Sequence, residues 1–402
     1  YGKLHHYPIA YNLGVPMNSR YSRRIVISIA TLSLIGLTTS TQAGDSITKR
    51  MQEFADAKQF SGAVTLVANR GKVVHLEAVG VADVSSGQAM KKDSIFAIAS
   101  MTKPITGAAL MILVDEGKLS LDDPVAKYVP EFKNATVGDK PLAREITLRD
   151  LATHTSGLGG EQRNEGTLAE TAVMLARRPL SFQPGEKWQY SPGLSVCGRV
   201  VEIVSGQPFE KFLAERIFQP LQMNDTTFFP SSEQQPRIAR LYQPSDDGQS
   251  LKADHHWLLD FTETTSPNPS GGLFSTADDL VRFYQMVLGG GELDGQRILS
   301  KNAVAELTKI HTGDLTTGFT PGNGWGIGWC VVRNPQDVTA MLKPGACGHG
   351  GAFGTQGWIH PQQQMVFIML VQRSKFGNGD ASDLRRVVQE QATRALSKSN
   401  QP

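Results

Sequence analysis

Ser100 and Lys103 stand three residues apart at the head of "SMTKPITGAALMILVDEGKL". Residues i and i+3 share a helix face, so a hydroxyl and an amine at this spacing can touch. A serine hydroxyl is a poor nucleophile until a base takes its proton. Lysine can be that base when burial makes its ammonium unfavourable, and the run "PITGAALMILV" supplies apolar surroundings. The helix N-terminus favours negative charge developing on the serine oxygen. Pro104 fits a helix that begins at about Ser100, and Gly117 is suited to end it. The spacing admits a second reading, an N-capping serine followed by a snorkelling lysine. It also recurs at Ser46-Ile47-Thr48-Lys49, where no apolar run follows and a solvated N-terminal segment is expected.

The elements that must hold such a pair follow from pattern. "FSGAVTLVANRGKVVHLEAVGVAD" contains two strand-like runs around Asn69-Arg70-Gly71, a hairpin signal. From Thr147 to Phe229 the pattern is mostly helical, as in "SVCGRVVEIVSG" and "PFEKFLAERIF". Residues 231–270 are polar and broken by Pro236, Pro244, Pro267 and Pro269, a long irregular excursion of the kind that serves a site. "TADDLVRFYQMVLGGG" is a helix with Asp278 and Asp279 in its first turn. "GWGIGWCVV", "GAFGTQGWIHP" and "QQQMVFIMLVQ" read as strands, and "DASDLRRVVQEQATRAL" as a closing amphipathic helix. This order predicts an α/β fold of the α+β type. A mainly antiparallel central sheet from both chain ends is flanked by helices, with a mostly helical lobe at about 120–290 and a site between the two.

Composition narrows the partners. With 40% hydrophobic and 19% charged residues, the 402-residue chain has ordinary globular makeup. Arg20, Arg23 and Arg24 precede an apolar run from Ile25 to Leu37, and Thr41 and Ala43 suit a cleavage site. Residues 17–43 are therefore expected to be a signal peptide, since the run is short for a membrane anchor. Export to the periplasm or the exterior is implied, by the twin-arginine or the ordinary route. Residues 1–16 read as a non-native upstream extension ahead of Met17, and residues 44–402 as a single domain. Removing residues 1–43 takes four basic and no acidic residues, leaving 36 Lys and Arg against 38 Asp and Glu. Such a near-neutral chain gives no electrostatic reason to expect nucleic acid. No second long apolar segment predicts an integral membrane part. The three cysteines (Cys197, Cys330, Cys347) form no disulfide framework; Cys330 and Cys347 either pair or remain buried thiols. The nine histidines show no metal-ligand pattern, so neither metal nor other cofactor is expected.

A longer stretch, "SMTKPITGAALMILVDEGKLSLDDPVAKYVPEF", resembles the nucleophile helix of the serine β-lactamase and penicillin-binding-protein superfamily, especially its class C β-lactamase-like branch. "ITLRDLATHTSGL", "QPGEKWQYSP", "GGLFSTADDLVRFYQ" and "GHGGAFGTQGW" resemble that branch's later landmarks in the same order, from about Phe60 to the last helix. The resemblance implies that Ser100 is the acylated nucleophile and Lys103 its partner. Tyr190 matches the tyrosine of Tyr-x-Asn, which passes the proton to the leaving group. His349, Gly350 and Gly351 match the Lys-Thr-Gly element that binds substrate. The N–H groups of Ser100 and Ala352 would form the oxyanion hole. His154 belongs to a landmark but reads as structural, and Trp325, Trp329 and Trp358 as core aromatics.

The chain departs from the family's pattern at two elements. Pro192 stands where Tyr-x-Asn has its amide, and His349 and Gly350 where Lys-Thr-Gly has a cation and a hydroxyl. His349 would retain one hydrogen bond to donate. A β-lactam or D-alanyl peptide presents a carboxylate to those groups, whereas a simple ester need not. The expected activity is that of an exported serine hydrolase resembling the β-lactamase-like carboxylesterases, acting through a Ser-Lys-Tyr acyl-enzyme on a small-molecule ester. The alternatives are a β-lactamase or D-alanyl-D-alanine carboxypeptidase acting on a β-lactam or D-amino-acid peptide. A non-catalytic cell-wall-binding relative would have lost Ser, Lys or Tyr. No Gly-x-Ser-x-Gly occurs to support another hydrolase fold.

Overall fold

The structure, a computed structural model, describes residues 46–160, 166–264 and 266–399, with side chains to residue 394. The expected leader and upstream extension lie outside the described residues. Strands β1 (Gly62–Asn69) and β2 (Lys72–Asp83) form the anticipated hairpin. Its turn residues Arg70 and Gly71 have φ of 50° and 77°, the paired positive values that a tight two-residue turn requires.

The hairpin joins β3 (Gln88–Ala89), β4 (Asn323–Trp325), β5 (Cys330–Val332), β6 (Cys347–Gly350), β7 (Gln356–His360) and β8 (Met365–Val371). The sheet order is β4-β5-β6-β7-β8-β1-β2-β3, antiparallel throughout. Both chain ends therefore build it, with Ala63 opposite Val371 at its centre. The continuous apolar run of β8 has a simple cause, burial on both faces. Phe367, Met369 and Val371 face one cluster, while Val366, Ile368 and Leu370 face the other.

Helix α1 (46–56) and the C-terminal helix Asp383–Ser399 cover the first face through Ile47, Met51, Leu384 and Val388. Residues 46–56 are thus not the solvated segment expected. Ile47, Met51 and Ala55 recur every four residues and bury one side of a helix. Lys49 stays exposed, and Ser46 Oγ donates to Gln391 Oε1, so this second Ser-x-x-Lys makes no site.

The other face carries α2 (Thr102–Asp115), which is buried almost all round and ends before Gly117 at φ 66°. Helices α3 (Leu148–Ala152), α4 (Leu168–Ala176), α5 (Gly193–Ser205) and α6 (Phe209–Leu213) follow, with α5 packed against the other three and α2. Helix α7 (Ala277–Leu288), N-capped by Thr276, lies on β1, β7 and β8. Residues 231–270 form the anticipated irregular excursion, with one short strand pair (Tyr242–Pro244 and Leu251–Ala253) and a 3₁₀ turn at Trp257–Leu259.

Cys330 and Cys347 are both buried and free. Cys330 pairs with Gly348 and Val331 with Cys347, so the two thiols project from opposite faces of the sheet and cannot bond.

Two glycines fix the depth of α2. A Cβ on Gly107 would meet Ile327 O at 2.2 Å, and one on Gly328 would meet Lys103 O at 2.5 Å. Gly107→Val is expected to destabilise the fold by about 3 kcal/mol or more, because a backbone carbonyl cannot yield as a side chain can. Urea denaturation measures this; a loss below about 1 kcal/mol would show that the contact adjusts.

Candidate active site

Ser100 sits on a 3₁₀ turn (Ala99–Met101) that leads into α2. Neither the turn nor the helix has a side-chain cap, and Met101 occupies the N-cap of α2. The capping reading of Ser100 therefore falls, and its hydroxyl is left for Lys103 Nζ at 3.1 Å. Lys103 does not snorkel: the residue is 3% exposed, and Nζ also donates to Ser270 O at 2.6 Å. Ala99, just before Ser100, holds φ 46°, a left-handed conformation unfavourable for a residue with a Cβ. Such local strain concentrates at functional sites because surrounding packing must enforce it. Nothing in the sequence signalled it.

Tyr190 lines the same cleft as Ser100 and Lys103, whose Nζ lies 4.6 Å from the centroid of its ring. Behind it His154, fully buried at φ 63°, packs 4.6 Å from the tyrosine ring and 5.2 Å from Trp325. His154 Nδ1 accepts from Ser191 N at 3.2 Å, tying the ring to the residue after Tyr190. Phe319 closes the outer edge of the tyrosine, ring to ring at 4.9 Å. Aromatic contacts on several sides leave Tyr190 little freedom to turn.

His349 on β6 lies 6.0 Å from the Tyr190 ring but within the buried layer behind the cleft lining. Its Nδ1 contacts Gly350 O at 2.6 Å, which uses the neutral ring's one N–H. The hydrogen bond anticipated for a substrate is thus already spent. Gly350 and Gly351 are held by close approach. A Cβ on Gly350 would fall 1.7 Å from Asp380 Oδ1, and one on Gly351 would fall 2.4 Å from Ile98 O. The second contact presses the end of β6 against the segment leading to Ser100. Ala352 then joins Ser100 in the wall of the cleft.

Pro192, Ser191, His256, Trp257, Leu258 and Asn268 complete most of the lining around a space of ≈ 440 Å³. The 256–270 contributors escaped the sequence reading because an irregular segment has no periodicity to place it. The available signal was the position of Ser270 directly before "GGLF". Pro269 O and Ser270 O bind Thr106 and Lys103, strapping this segment to α2.

A hydroxyl and an amine in contact, a phenol beside them and a strand end next to the hydroxyl can together perform acyl transfer. The family model described as Beta-lactamase matches residues 47–392. The chain belongs to the Beta-lactamase family. It is similar to Protein Rv1367c of Mycobacterium tuberculosis, 35% identical over 354 residues that cover 80% of this chain and 88% of that one. It is also similar to Esterase EstB of Burkholderia gladioli, 29% identical over 353 residues covering 79% and 87%. Among solved structures, EstCE1, described as a hydrolase with promiscuous acyltransferase activity, superposes with a TM-score of 0.76 at 22% identity, covering 90% of this chain and 99% of that one. This Beta-lactamase-family protein is a serine hydrolase with the β-lactamase/transpeptidase-like fold.

The two histidines behind Tyr190 give this Beta-lactamase-family chain a pH signature. Burial pushes His349 down to about 3 and His154 well below its ordinary value. The unfolded chain takes up these protons below about pH 6.5 while the folded chain refuses them. Stability is therefore full above about 6.5 and falls with pH toward 3, by about 1.4 kcal/mol per pH unit for each neutral histidine. His349→Asn should flatten the dependence of denaturation midpoint on pH between 6.5 and 4. Parallel curves for the two proteins would contradict this.

Proposed function

We propose that the protein is an exported carboxylesterase working through an acyl-enzyme on Ser100. Lys103, as the free amine, takes the Ser100 proton while Oγ attacks the ester carbonyl. The N–H groups of Ser100 and Ala352 hold the oxyanion, whose stabilisation is usually a large catalytic term. Collapse breaks the bond to the leaving alkoxide, which receives a proton passed through Tyr190. Water then attacks the acyl-enzyme by the reverse relay, releasing the acid and restoring Ser100.

The observation that carries the ester reading is the charge of the cleft. Among the described residues lining it there is no arginine and no lysine besides Lys103, which is engaged by Ser100 and Ser270. His349 is neutral, Pro192 offers no amide donor, and the Asp380 carboxylate stands against Gly350. Among the described lining residues a substrate carboxylate meets no arginine or lysine other than Lys103, and a site lacking a group's charged partner discriminates against that group. Similarity to EstB supports the same choice.

Turnover of p-nitrophenyl butyrate, nitrocefin and a D-alanyl-D-alanine peptide should be compared side by side. The ester is expected to lead in kcat/KM by about 100-fold or more. Faster hydrolysis of nitrocefin or of the peptide would make the protein a β-lactamase or carboxypeptidase. No turnover, together with no covalent labelling, would make it a binding protein.

A further inference from the structure

A second concavity adjoins the cleft. Trp257, Leu258 and Asn268 line both, and beyond them a space open to solvent is walled by Phe228, Phe229, Phe261 and Phe274, with Asp260, Thr264 and Ser266 as its polar members and Asp260 Oδ1 3.0 Å from His255 Nε2. Phe228 and Phe274 are buried, whereas Phe229, Phe261, Trp257 and Leu258 are only half-buried and turn apolar surface toward the space. The shared wall is firmly placed. Ser270 N donates to Asn268 Oδ1 and Gly272 N to Asn268 O, and Ser270 O two residues on binds Lys103 Nζ. The aromatic chamber therefore opens within a few residues of the reacting pair.

Building on the esterase reading, we propose that this chamber binds the acyl portion of the substrate and selects esters of medium-length or aromatic apolar acids. The choice of acyl over alcohol follows from the proton path. The leaving oxygen must lie within reach of Tyr190, and Tyr190 with Ser191 and Pro192 forms the wall of the cleft that the chamber does not share. A group extending past Trp257 and Leu258 is directed away from that wall and remains attached to Ser100 after the alcohol departs. Burying each methylene in such a space strengthens binding by about fourfold. When the chain is seated in both substrate and transition state, the gain appears in kcat/KM.

The test uses p-nitrophenyl esters, in which the leaving group is constant. The ratio of kcat/KM for hexanoate over acetate is expected to be at least about tenfold. Phe229→Asp sets a second carboxylate in the chamber, in place of apolar wall, and Phe261→Ala removes part of that wall; each should lower that ratio at least about fivefold. Both positions are half-buried, and fluorophosphonate labelling of Ser100 reports that each variant remains folded. A hexanoate-to-acetate ratio near one with active wild type would refute the acyl chamber while leaving the esterase reading intact. So would a ratio unmoved in both variants. Acetate esters that improve with alcohol length, when acyl length has no effect, would assign the chamber to the alcohol and overturn the proposal. No turnover of any ester would end the esterase reading itself, and this one with it.

Discussion

Lys103→Ala is expected to lower kcat for p-nitrophenyl butyrate by about 10²- to 10⁴-fold, the usual worth of a positioned general base. Nζ is 3.1 Å from Ser100 Oγ and 2.6 Å from Ser270 O, so truncation removes the amine in contact with the nucleophile. The fold should persist. The change orphans the Ser270 carbonyl at about 1–3 kcal/mol, a loss that a domain stable by about 5–15 kcal/mol survives. Lys103→Arg should not rescue, because a guanidinium remains charged and cannot accept the serine proton. Steady-state kinetics beside thermal melts measure both halves of the expectation. Activity within tenfold of wild type would remove lysine from the mechanism.

The second large effect concerns substrate choice. Pro192→Asn combined with His349→Lys is expected to raise the nitrocefin-to-butyrate ratio of kcat/KM by about 10- to 100-fold, the worth of one or two hydrogen bonds to a charged group. Pro192 lines the cleft beside Ser191, so an amide there can meet a substrate directly. Position 349 lies behind Tyr190, where a lysine could reach forward only because its stem is longer than the imidazole. Gly350→Thr is left out for a steric reason. Its Cβ would stand 1.7 Å from Asp380 Oδ1, which Gln356 Nε2 holds at 2.8 Å. Parallel measurements on wild type and the double variant decide the matter; an unchanged ratio would refute the account of specificity.

Much of this arrangement was legible because its causes are local. The Arg70-Gly71 turn, the continuous apolar run of β8 and the unbroken apolar length of α2 are each set by neighbouring residues in the chain. The contact of Ser100 with Lys103 follows from helical spacing alone. Helix α1 was missed because a single turn-to-turn series, Ile47, Met51 and Ala55, is short and otherwise polar, and its partners lie in the last helix and the sheet. The opposed cysteines depend on strand register, which a one-residue shift would invert. Asp380 against Gly350 and Ser270 against Lys103 join segments far apart in the chain, and no local pattern encodes such meetings.

The central claim is that Ser100 carries the acyl group, and peptide mapping by mass spectrometry after labelling with a fluorophosphonate tests it most directly. One adduct is expected, on the peptide containing Ser100, absent from Ser100→Ala and never on the peptide containing Ser46. An adduct on another residue, or full ester turnover by Ser100→Ala, would contradict it.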